Sequence, residues 1–368
     1  MKNPKVIISG GGTGGHIFPA LAIANELKAR FPTIEILFVG ANARMEMTKV
    51  PEAGYEIIGL DVVGLQRRIT YKNLFFPFLL LKSLRKAKSI VKSFDPNVVI
   101  GVGGYASGPT LKMASKLGYP TLIQEQNSYA GLTNKLLSKK AKSICVAYEN
   151  MSKFFPADKI KLTGNPVRDD ILNINDKRAE ANKHFNIESN RKVVLILGGS
   201  LGAKSINEGV LKNIQSINND KLTILWQVGS RYIDTIKENI NREKYPNIIP
   251  LAFIKRMDLA YAAADVIVSR AGALSISEIA IVGKPAILVP SPNVSEDHQT
   301  KNAMSLVNNS AAIMVKDADS NSKLIPLLLN LINSEEGWVE FKSNLFKIAK
   351  PNASKHIVDE VVKVGGLI

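Results

Sequence analysis

The fold is decided by residues 5–16, which read Lys-Val-Ile-Ile-Ser-Gly-Gly-Gly-Thr-Gly-Gly-His. The apolar run at 6–8 has the β-branched composition of a buried strand, and glycine fills all but one of positions 10–15. A strand that runs into a glycine turn and then a helix is typical of a Rossmann-like unit. The stretch therefore predicts a parallel sheet covered by helices.

The same pattern recurs along the chain. Further short apolar runs lie at residues 36–39, 98–100, 193–197, 224–225, 266–268 and 287–289. Buried strands spaced by helical patterns are typical of parallel sheets, which predicts an α/β protein. Glycine turns follow the strands in the same order in both halves, at 10–15 and 101–104 and again at 198–202 and 271–273. The sequence therefore predicts two Rossmann-like domains in tandem.

A chain of 368 residues exceeds the usual size of one domain. We place the N-terminal domain at residues 1–165 and the C-terminal domain at 166–344. The last helix, about 345–368, is free to pack back on the first domain. Because ligands bind beyond the carboxyl ends of parallel strands, we expect a site in a cleft between the two domains.

The composition bounds the class of protein. Apolar residues make up 45% of the chain and charged residues 22%, which is typical of a globular protein. The one cysteine, Cys145, excludes an internal disulfide framework and a multi-cysteine metal site. No run reaches the roughly 18 apolar residues of a membrane span, and the first apolar run is too short for a signal peptide. We therefore expect a cytoplasmic protein.

The positive charge is concentrated in the first half. The net charge is +16, and residues 1–165 carry 23 Lys and Arg against 10 Asp and Glu, whereas the rest carries 25 against 22. A basic half suits nucleic acid, a polyanionic substrate or an anionic lipid surface. Aromatic residues make up only 7% and no nucleic-acid-binding motif is present, so nucleic acid is disfavoured.

The first glycine loop formally satisfies the GxGxxG spacing of dinucleotide-binding proteins. Those proteins carry an acidic residue about twenty positions later, at the end of the second strand, to hold the ribose. Here that strand ends at residues 38–42 without an acid, which disfavours an NAD- or FAD-dependent oxidoreductase. Amides at the helix start still favour an oxyanion or a sugar, while the alternative is a tight turn needed only for packing.

Three further features are candidates for chemistry. His16 follows the first glycine loop, where a base of near-neutral pKa suits deprotonation of a hydroxyl, although a lone histidine is more often structural. The loop at 198–203 suits a diphosphate through its amides and Ser200, but it lacks the Lys-Ser/Thr pair of a P-loop. Glu278 lies one turn into another helix start and is either a capping-box acid or a ribose ligand.

Together these segments resemble the MurG family, the N-acetylglucosaminyltransferases of peptidoglycan synthesis that convert lipid I to lipid II. The matching segments, in family order, are GGTGGHIFP at 11–19, GVGGYASGP at 101–109, QEQN at 124–127, TGNPVR at 163–168, GGSLGA at 198–203, SRAGALSISE at 269–278 and DHQTKNA at 297–303. They extend over most of the chain.

The resemblance implies the GT-B fold, two Rossmann-like domains with a cleft between them. It also implies UDP-N-acetylglucosamine as donor, with no cofactor and no metal-binding Asp-x-Asp motif. The donor contacts that it implies are Thr13, Gly14, Gly15, Asn127, Arg168, Ser200, Ile254, Ala273, Leu274, Ser275, Ile276, Ser277, Glu278 and Gln299. Arg168 and Ser200 suit the diphosphate and Glu278 the ribose. The backbone of Ile254 suits uracil.

Asn127 and Gln299 suit the sugar hydroxyls and the acetamido group, and His298 is an alternative to Gln299 at that position. The implied reaction is an inverting transfer to undecaprenyl-linked lipid I, with His16 as the base and Glu125 in reserve. Another GT-B enzyme, such as a glycolipid synthase or a UDP-sugar epimerase, is the alternative, because it would share the donor half.

One segment predicts an anionic membrane surface as a partner. Residues 64–94 contain eight basic residues and no acidic one, and they enclose the apolar run 74–81. Basic side chains beside exposed aromatics favour interfacial binding, whereas the alternative is a core helix with a solvated basic face. We therefore expect a peripheral protein on the cytoplasmic face of the inner membrane.

Overall fold

The computed structural model describes residues 3–62, 76–241 and 243–367. The chain forms two compact units, one of residues 1–168 with 350–368 and one of residues 169–349. Within the described residues, no helix is long and apolar enough to cross a bilayer. In those same residues, His, Cys, Asp and Glu form no group of three or more that could hold a metal ion.

The first unit is built on a seven-stranded sheet. Its strands are β1 Lys5–Ser9, β2 Glu35–Ala41, β3 Glu56–Leu60, β4 Val98–Gly101, β5 Thr121–Glu125, β6 Ser143–Val146 and β7 Ile160–Leu162. Their spatial order is β3-β2-β1-β4-β5-β6-β7, and every pair is parallel. Ile8 pairs with Phe38 on one side and Ile100 on the other. All the carboxyl ends therefore lie at one edge of the sheet.

Helices cover both faces of this sheet. They are α1 Gly14–Arg30, α2 Glu46–Glu52, α3 Phe76–Phe94, α4 Ser107–Lys116 and α5 Leu132–Ser138, with 3₁₀ turns at Met151–Lys153 and Ala157–Lys159. Alternate residues of β1 enter different clusters, since Val6 and Ile8 pack on one face and Ile7 on the other. This two-sided burial explains why the strands read as continuous apolar runs.

The second unit repeats the plan with six parallel strands. They are β8 Lys192–Leu197, β9 Leu222–Gln227, β10 Ile248–Leu251, β11 Val266–Ser269, β12 Ala286–Leu288 and β13 Ile313–Met314. The order β10-β9-β8-β11-β12-β13 matches that of the first six strands of the other sheet. The predicted α/β class and the two parallel sheets are therefore confirmed.

The helices of the second unit complete its two layers. They are α6 Asp169–Leu172, α7 Arg178–Phe185, α8 Lys204–Lys212, α9 Ile233–Asn239, α10 Met257–Ala263, α11 Ala273–Val282, α12 His298–Val307, α13 Ile325–Asn333 and α14 Glu336–Ile348. Shorter turns are the 3₁₀ segments Ile214–Ile217, Ser295–Asp297 and Asp317–Asp319 and the π segment Ser320–Leu324.

The C-terminal region consists of two helices where the sequence suggested one. Helix α14 ends at Ile348, and Pro351 lies in the turn before α15, Ala353–Gly365. Proline lacks the amide donor that a continuous helix would need. Helix α15 belongs to the first unit, where Ile357 and Val361 are buried in its core and Arg30 donates to the Lys355 carbonyl at 3.0 Å.

Candidate active site

His16 lies in the first turn of α1, at the carboxyl edge of the first sheet. Its Nδ1 is 3.1 Å from the Gly11 carbonyl oxygen and 3.3 Å from Thr13 Oγ1. A proton on Nδ1 satisfies the carbonyl, and this tautomer makes Nε2 the basic nitrogen. We assign it from the hydrogen-bond geometry. Gly14 and Gly15 form the same helix start, after Thr13 as the N-cap residue.

The glycine turn after β4 packs against this histidine. Gly103 and Gly104 have φ of +90° and +85°, and a Cβ at Gly103 would lie 2.9 Å from His16 Nε2. A Cβ at Gly104 would lie 2.3 Å from the Gly11 carbonyl oxygen. Any side chain at either position would therefore displace His16 or its acceptor. The predicted turn at 101–104 serves to pack on the loop that holds His16.

A glutamate that the sequence did not indicate packs its carboxylate against the first glycine loop. Glu46, at the start of α2, is 1% exposed. Its Oε2 accepts the Gly12 amide proton at 2.8 Å, and its Oε1 accepts that of Ala41 at 3.0 Å. The loop amide that we expected to favour an oxyanion is thus bound by a carboxylate of the protein itself. No spacing rule connects position 46 with this loop.

Glu125, the reserve base, ends β5 and is buried. Its Oε1 accepts from the backbone amide of Asn127 at 3.1 Å and from the Asn127 side chain at 3.4 Å. Its Oε2 accepts from the Gly131 amide at 3.0 Å and from Asn134 Nδ2 at 2.8 Å. These four bonds make Glu125 the residue that orders the loop after β5, and they favour His16 over it as the base.

Arg168 belongs to the first unit, together with Thr13, Gly14, Gly15, His16 and Asn127. Its guanidinium lies over the Phe18 ring, 5.8 Å from the ring centroid. Phe18 is on α1, two residues after His16. The other predicted donor contacts, from Ser200 to Gln299, belong to the second unit.

In the second unit a cavity of about 120 Å³ opens at the carboxyl ends of three neighbouring strands. It is lined by Leu197, Gly199, Gln227, Met257, Tyr261, Ser269, Arg270, Ser275 and Glu278. The Tyr261 hydroxyl donates to Glu278 Oε2 at 2.9 Å and so orients that carboxylate in the cavity. Ser200 and Leu201 are exposed in the glycine loop between β8 and α8.

Helix α11 starts at this cavity. Its N-cap is Gly272, which makes Ser275 the N3 residue and excludes Glu278 from a capping box. Ala273 and Ile276 are buried, whereas Leu274, Ser275 and Ser277 are partly exposed. The helix start thus has its amide end and small polar side chains beside the Glu278 carboxylate.

Two predicted contacts take part in hydrogen bonds between a backbone amide and a glutamine side chain. Gln227 Oε1 accepts the Ile254 amide proton at 2.9 Å, so the backbone of Ile254 is fixed from the end of β9. Gln299, in the first turn of α12, accepts the Ser291 amide proton through Oε1 at 2.9 Å. Because Oε1 is the acceptor in that bond, Nε2 is the atom through which Gln299 can donate a hydrogen bond.

Arg270 is a second residue that the sequence reading did not assign. Its Nη1 donates to the Val289 carbonyl at 3.0 Å and to Asp317 Oδ1, and its Nη2 donates to Ser205 Oγ at 3.1 Å. These partners belong to the end of β12, the turn after β13 and the first turn of α8. Arg270, which lines the cavity, therefore joins the segments that follow β12 and β13 to the first turn of α8.

Two family models match the chain and define its class as a glycosyltransferase. The glycosyltransferase family 28 N-terminal domain matches residues 6–146, and the family 28 C-terminal domain matches residues 193–357. A UDP-N-acetylglucosamine–N-acetylmuramyl-(pentapeptide) pyrophosphoryl-undecaprenol N-acetylglucosamine transferase from Flavobacterium psychrophilum is 55% identical, over 99% of this chain and 98% of that protein. The protein of the same name from Bacteroides fragilis is 53% identical, over 98% and 95%.

The solved structures agree. The crystal structure of Acinetobacter baumannii MurG matches with a TM-score of 0.77 and 31% identity, over 98% of this chain and 99% of that one. A UDP-GlcNAc 2-epimerase from Neisseria meningitidis has a TM-score of 0.69 at 17% identity, which shows a shared fold alone. The chain therefore belongs to the MurG family of glycosyltransferases, with the GT-B fold of two Rossmann-like domains.

Asp258 anchors the helix that carries Tyr261 into the cavity. Its side chain is 2% exposed and accepts from Arg256 Nε at 2.9 Å and from Lys177 Nζ at 3.0 Å. The hydrogen bond from Arg256, assisted by Lys177, holds the pKa of the Asp258 carboxyl well below its usual range. A lowered folded-state pKa stabilises the fold above the unfolded pKa of about 3.9, and that stabilisation is lost as pH falls.

We predict that Asp258→Asn lowers the free energy of unfolding at pH 7 by roughly 2 to 4 kcal/mol, because it leaves Arg256 and Lys177 without their buried anion. The deficit should shrink as pH falls below about 4. Urea unfolding followed by tryptophan fluorescence measures it, since both tryptophans, Trp226 and Trp338, lie in the second unit. The control is Asp220→Asn, at an exposed position of the same unit. A deficit that does not change with pH would contradict the charge argument.

Proposed function

We propose that this protein transfers N-acetylglucosamine from UDP-N-acetylglucosamine to the muramyl sugar of undecaprenyl-linked lipid I, giving lipid II for peptidoglycan synthesis. The observation that carries the proposal is near-full-length identity of 53 to 55% with relatives named for this transfer. The geometry of His16 in one unit and of the Glu278 cavity in the other supports it.

In the proposed reaction, His16 Nε2 accepts the proton of the acceptor hydroxyl. The hydroxyl oxygen forms a bond to the anomeric carbon while the bond from that carbon to the β-phosphate oxygen breaks. UDP leaves with the electron pair, and attack from the opposite face converts the α donor to a β linkage. The Nδ1 bond to the Gly11 carbonyl suits this role, because a proton held on Nδ1 makes Nε2 the basic nitrogen.

The leaving diphosphate gains charge as it departs. We assign its stabilisation to the amide end of α11 at Ala273–Ser277, to Ser200 in the second glycine loop and to Arg168. Glu278, oriented by Tyr261, takes the ribose hydroxyls, and the Ile254 backbone meets uracil. Gln299 and Asn127 take the donor sugar. Thr13, Gly14 and Gly15 lie beside His16, where a sugar can approach the helix start closely.

One assay tests the proposed function. The protein is incubated with labelled UDP-N-acetylglucosamine and either lipid I or a diacylglycerol, and also without any acceptor. We expect label in a lipid I product only. Label in the diacylglycerol would instead indicate a glycolipid synthase, and epimerised UDP-sugar without acceptor would indicate an epimerase; either result would overturn the proposal.

Glu278 gives a prediction at the donor site. Glu278→Ala should raise the donor KM by about tenfold and lower kcat much less, because ribose contacts act in the ground state and the transition state alike. Steady-state kinetics and calorimetric titration with UDP measure the two effects. The matched control is Glu208→Ala, an exposed glutamate on α8 of the same unit. A collapse of kcat with intact UDP binding would show that Glu278 is not the ribose ligand.

We also propose that the first unit binds an anionic membrane surface through α3. Of the basic segment 64–94, residues 64–75 lie outside the described residues, including Phe75, and so does the side chain of Phe76. Along the described helix, Phe78 is 81% exposed and Leu81 is 49% exposed. Exposed cations follow them at Lys82, Arg85, Lys86, Lys88 and Lys92. The opposite face packs in the core through Ala87, Ile90 and Val91.

The protein should sediment with anionic vesicles far more than with neutral ones, and added salt should weaken the association. The double variant Phe78→Ser/Leu81→Ser should weaken it further while UDP binding is unchanged. A matched control is Val339→Ser/Phe346→Ser, which removes two exposed apolar side chains of the second unit. Equal partitioning to neutral and anionic vesicles, or to neither, would contradict the proposed surface.

A further inference from the structure

A backbone amide of the first glycine loop donates a hydrogen bond to a buried carboxylate of the protein itself. Glu46 is almost fully buried, and each of its two carboxylate oxygens accepts one backbone amide, from Gly12 and from Ala41. A buried carboxylate is costly unless hydrogen bonds replace its water. Here the replacement comes from the loop that precedes His16 and from the end of β2.

The backbone is shaped to admit this side chain. Gly11 has φ of +144°, and a Cβ there would lie 2.3 Å from the Glu46 carboxyl carbon. A Cβ at Gly40 would lie 2.6 Å from Glu46 Cγ. Two glycines, one on each side, thus make the room that the glutamate occupies. The first of them is also the residue whose carbonyl oxygen meets His16 Nδ1.

We infer that Glu46 is a positioning residue for His16 and acts through the Gly11–Gly12 backbone. The carboxylate fixes the Gly12 amide, which fixes the peptide that carries the Gly11 carbonyl. That carbonyl holds the Nδ1 proton and so sets the ring tautomer with Nε2 as the base. The inference rests on the proposed role of His16, and it assigns to Glu46 no contact with substrate.

Removing the carboxylate should therefore affect turnover through the histidine. Glutamine in place of Glu46 keeps the size but can accept at one atom only, and its NH₂ group would face an amide donor. The Gly11 peptide would lose its fixed orientation, and the His16 ring with it. Misplacement of a reacting group by about 1 Å can cost on the order of a hundredfold in rate.

We expect Glu46→Gln to lower kcat in the lipid I assay about tenfold or more, with the UDP-N-acetylglucosamine KM changed less than about twofold. In protein labelled with ¹⁵N-histidine, the His16 signals should shift from the Nδ1-protonated pattern toward a mixture of tautomers. The chain has only four histidines, and His16→Ala assigns the signals. The control is Glu52→Gln, an exposed glutamate on the same helix, which should change neither readout.

A double-variant comparison separates positioning from general loss of structure. His16→Ala should lower kcat by on the order of a hundredfold. Adding Glu46→Gln to His16→Ala should then cost little more, since the route to turnover is already absent. If Glu46→Gln does not fold, Glu46→Asp is used, because its shorter side chain cannot reach both amides.

The outcomes distinguish this inference from the proposed function. Near-normal turnover in His16→Ala would show that His16 is not the base. The proposed function would still be decided by the transfer assay alone. If His16→Ala loses turnover, two results would overturn the role of Glu46. One is an unchanged tautomer and kcat in Glu46→Gln. The other is an equal loss of kcat from Glu46→Gln with and without His16.

Discussion

Parallel pairing of every strand is the constraint on which the rest of the structure depends. In each sheet all strands point the same way, so the loops that leave their carboxyl ends are brought to one edge whatever their separation in sequence. This is why Gly11 and Gly103, far apart in sequence, both lie against His16 in the first unit. It is also why Leu197, Gln227 and Ser269 line one cavity in the second.

The two units surround the same strand-glycine-helix motif with different groups. In the first, the Glu46 carboxylate accepts the Gly12 amide proton, so this amide already has an anionic partner within the protein. The same loop contacts the His16 ring through the Gly11 carbonyl. In the second, the loop after β8 exposes Ser200 and adjoins the start of α11, an arrangement that suits an anionic ligand. A residue about thirty positions away, and not the glycine spacing, determines the partner of the Gly12 amide.

The features that could be predicted are those carried by local patterns. Continuous apolar runs located seven of the strands, and glycine turns located the loops around His16 and Ser200. Strands of mixed composition were missed: β3 begins with Glu56 and contains Gly59, and β6 begins with Ser143, so each has only a short apolar run. Glu46 and Arg270 could not be predicted for another reason. Their partners, Ala41 and Gly12 in one case and Val289 and Asp317 in the other, are set by tertiary packing, which leaves no spacing in the sequence.

The missed residues have a feature in common that explains their importance. Glu46 is buried and Arg270 is partly buried, and each is a charged group that is stabilised by hydrogen bonds from more than one chain segment. Each charge therefore depends on the loops being in place, and the loops depend on the charge. A substitution at either residue would free two or three chain segments at once. Such a residue can be remote from the reacting atoms and still determine their geometry.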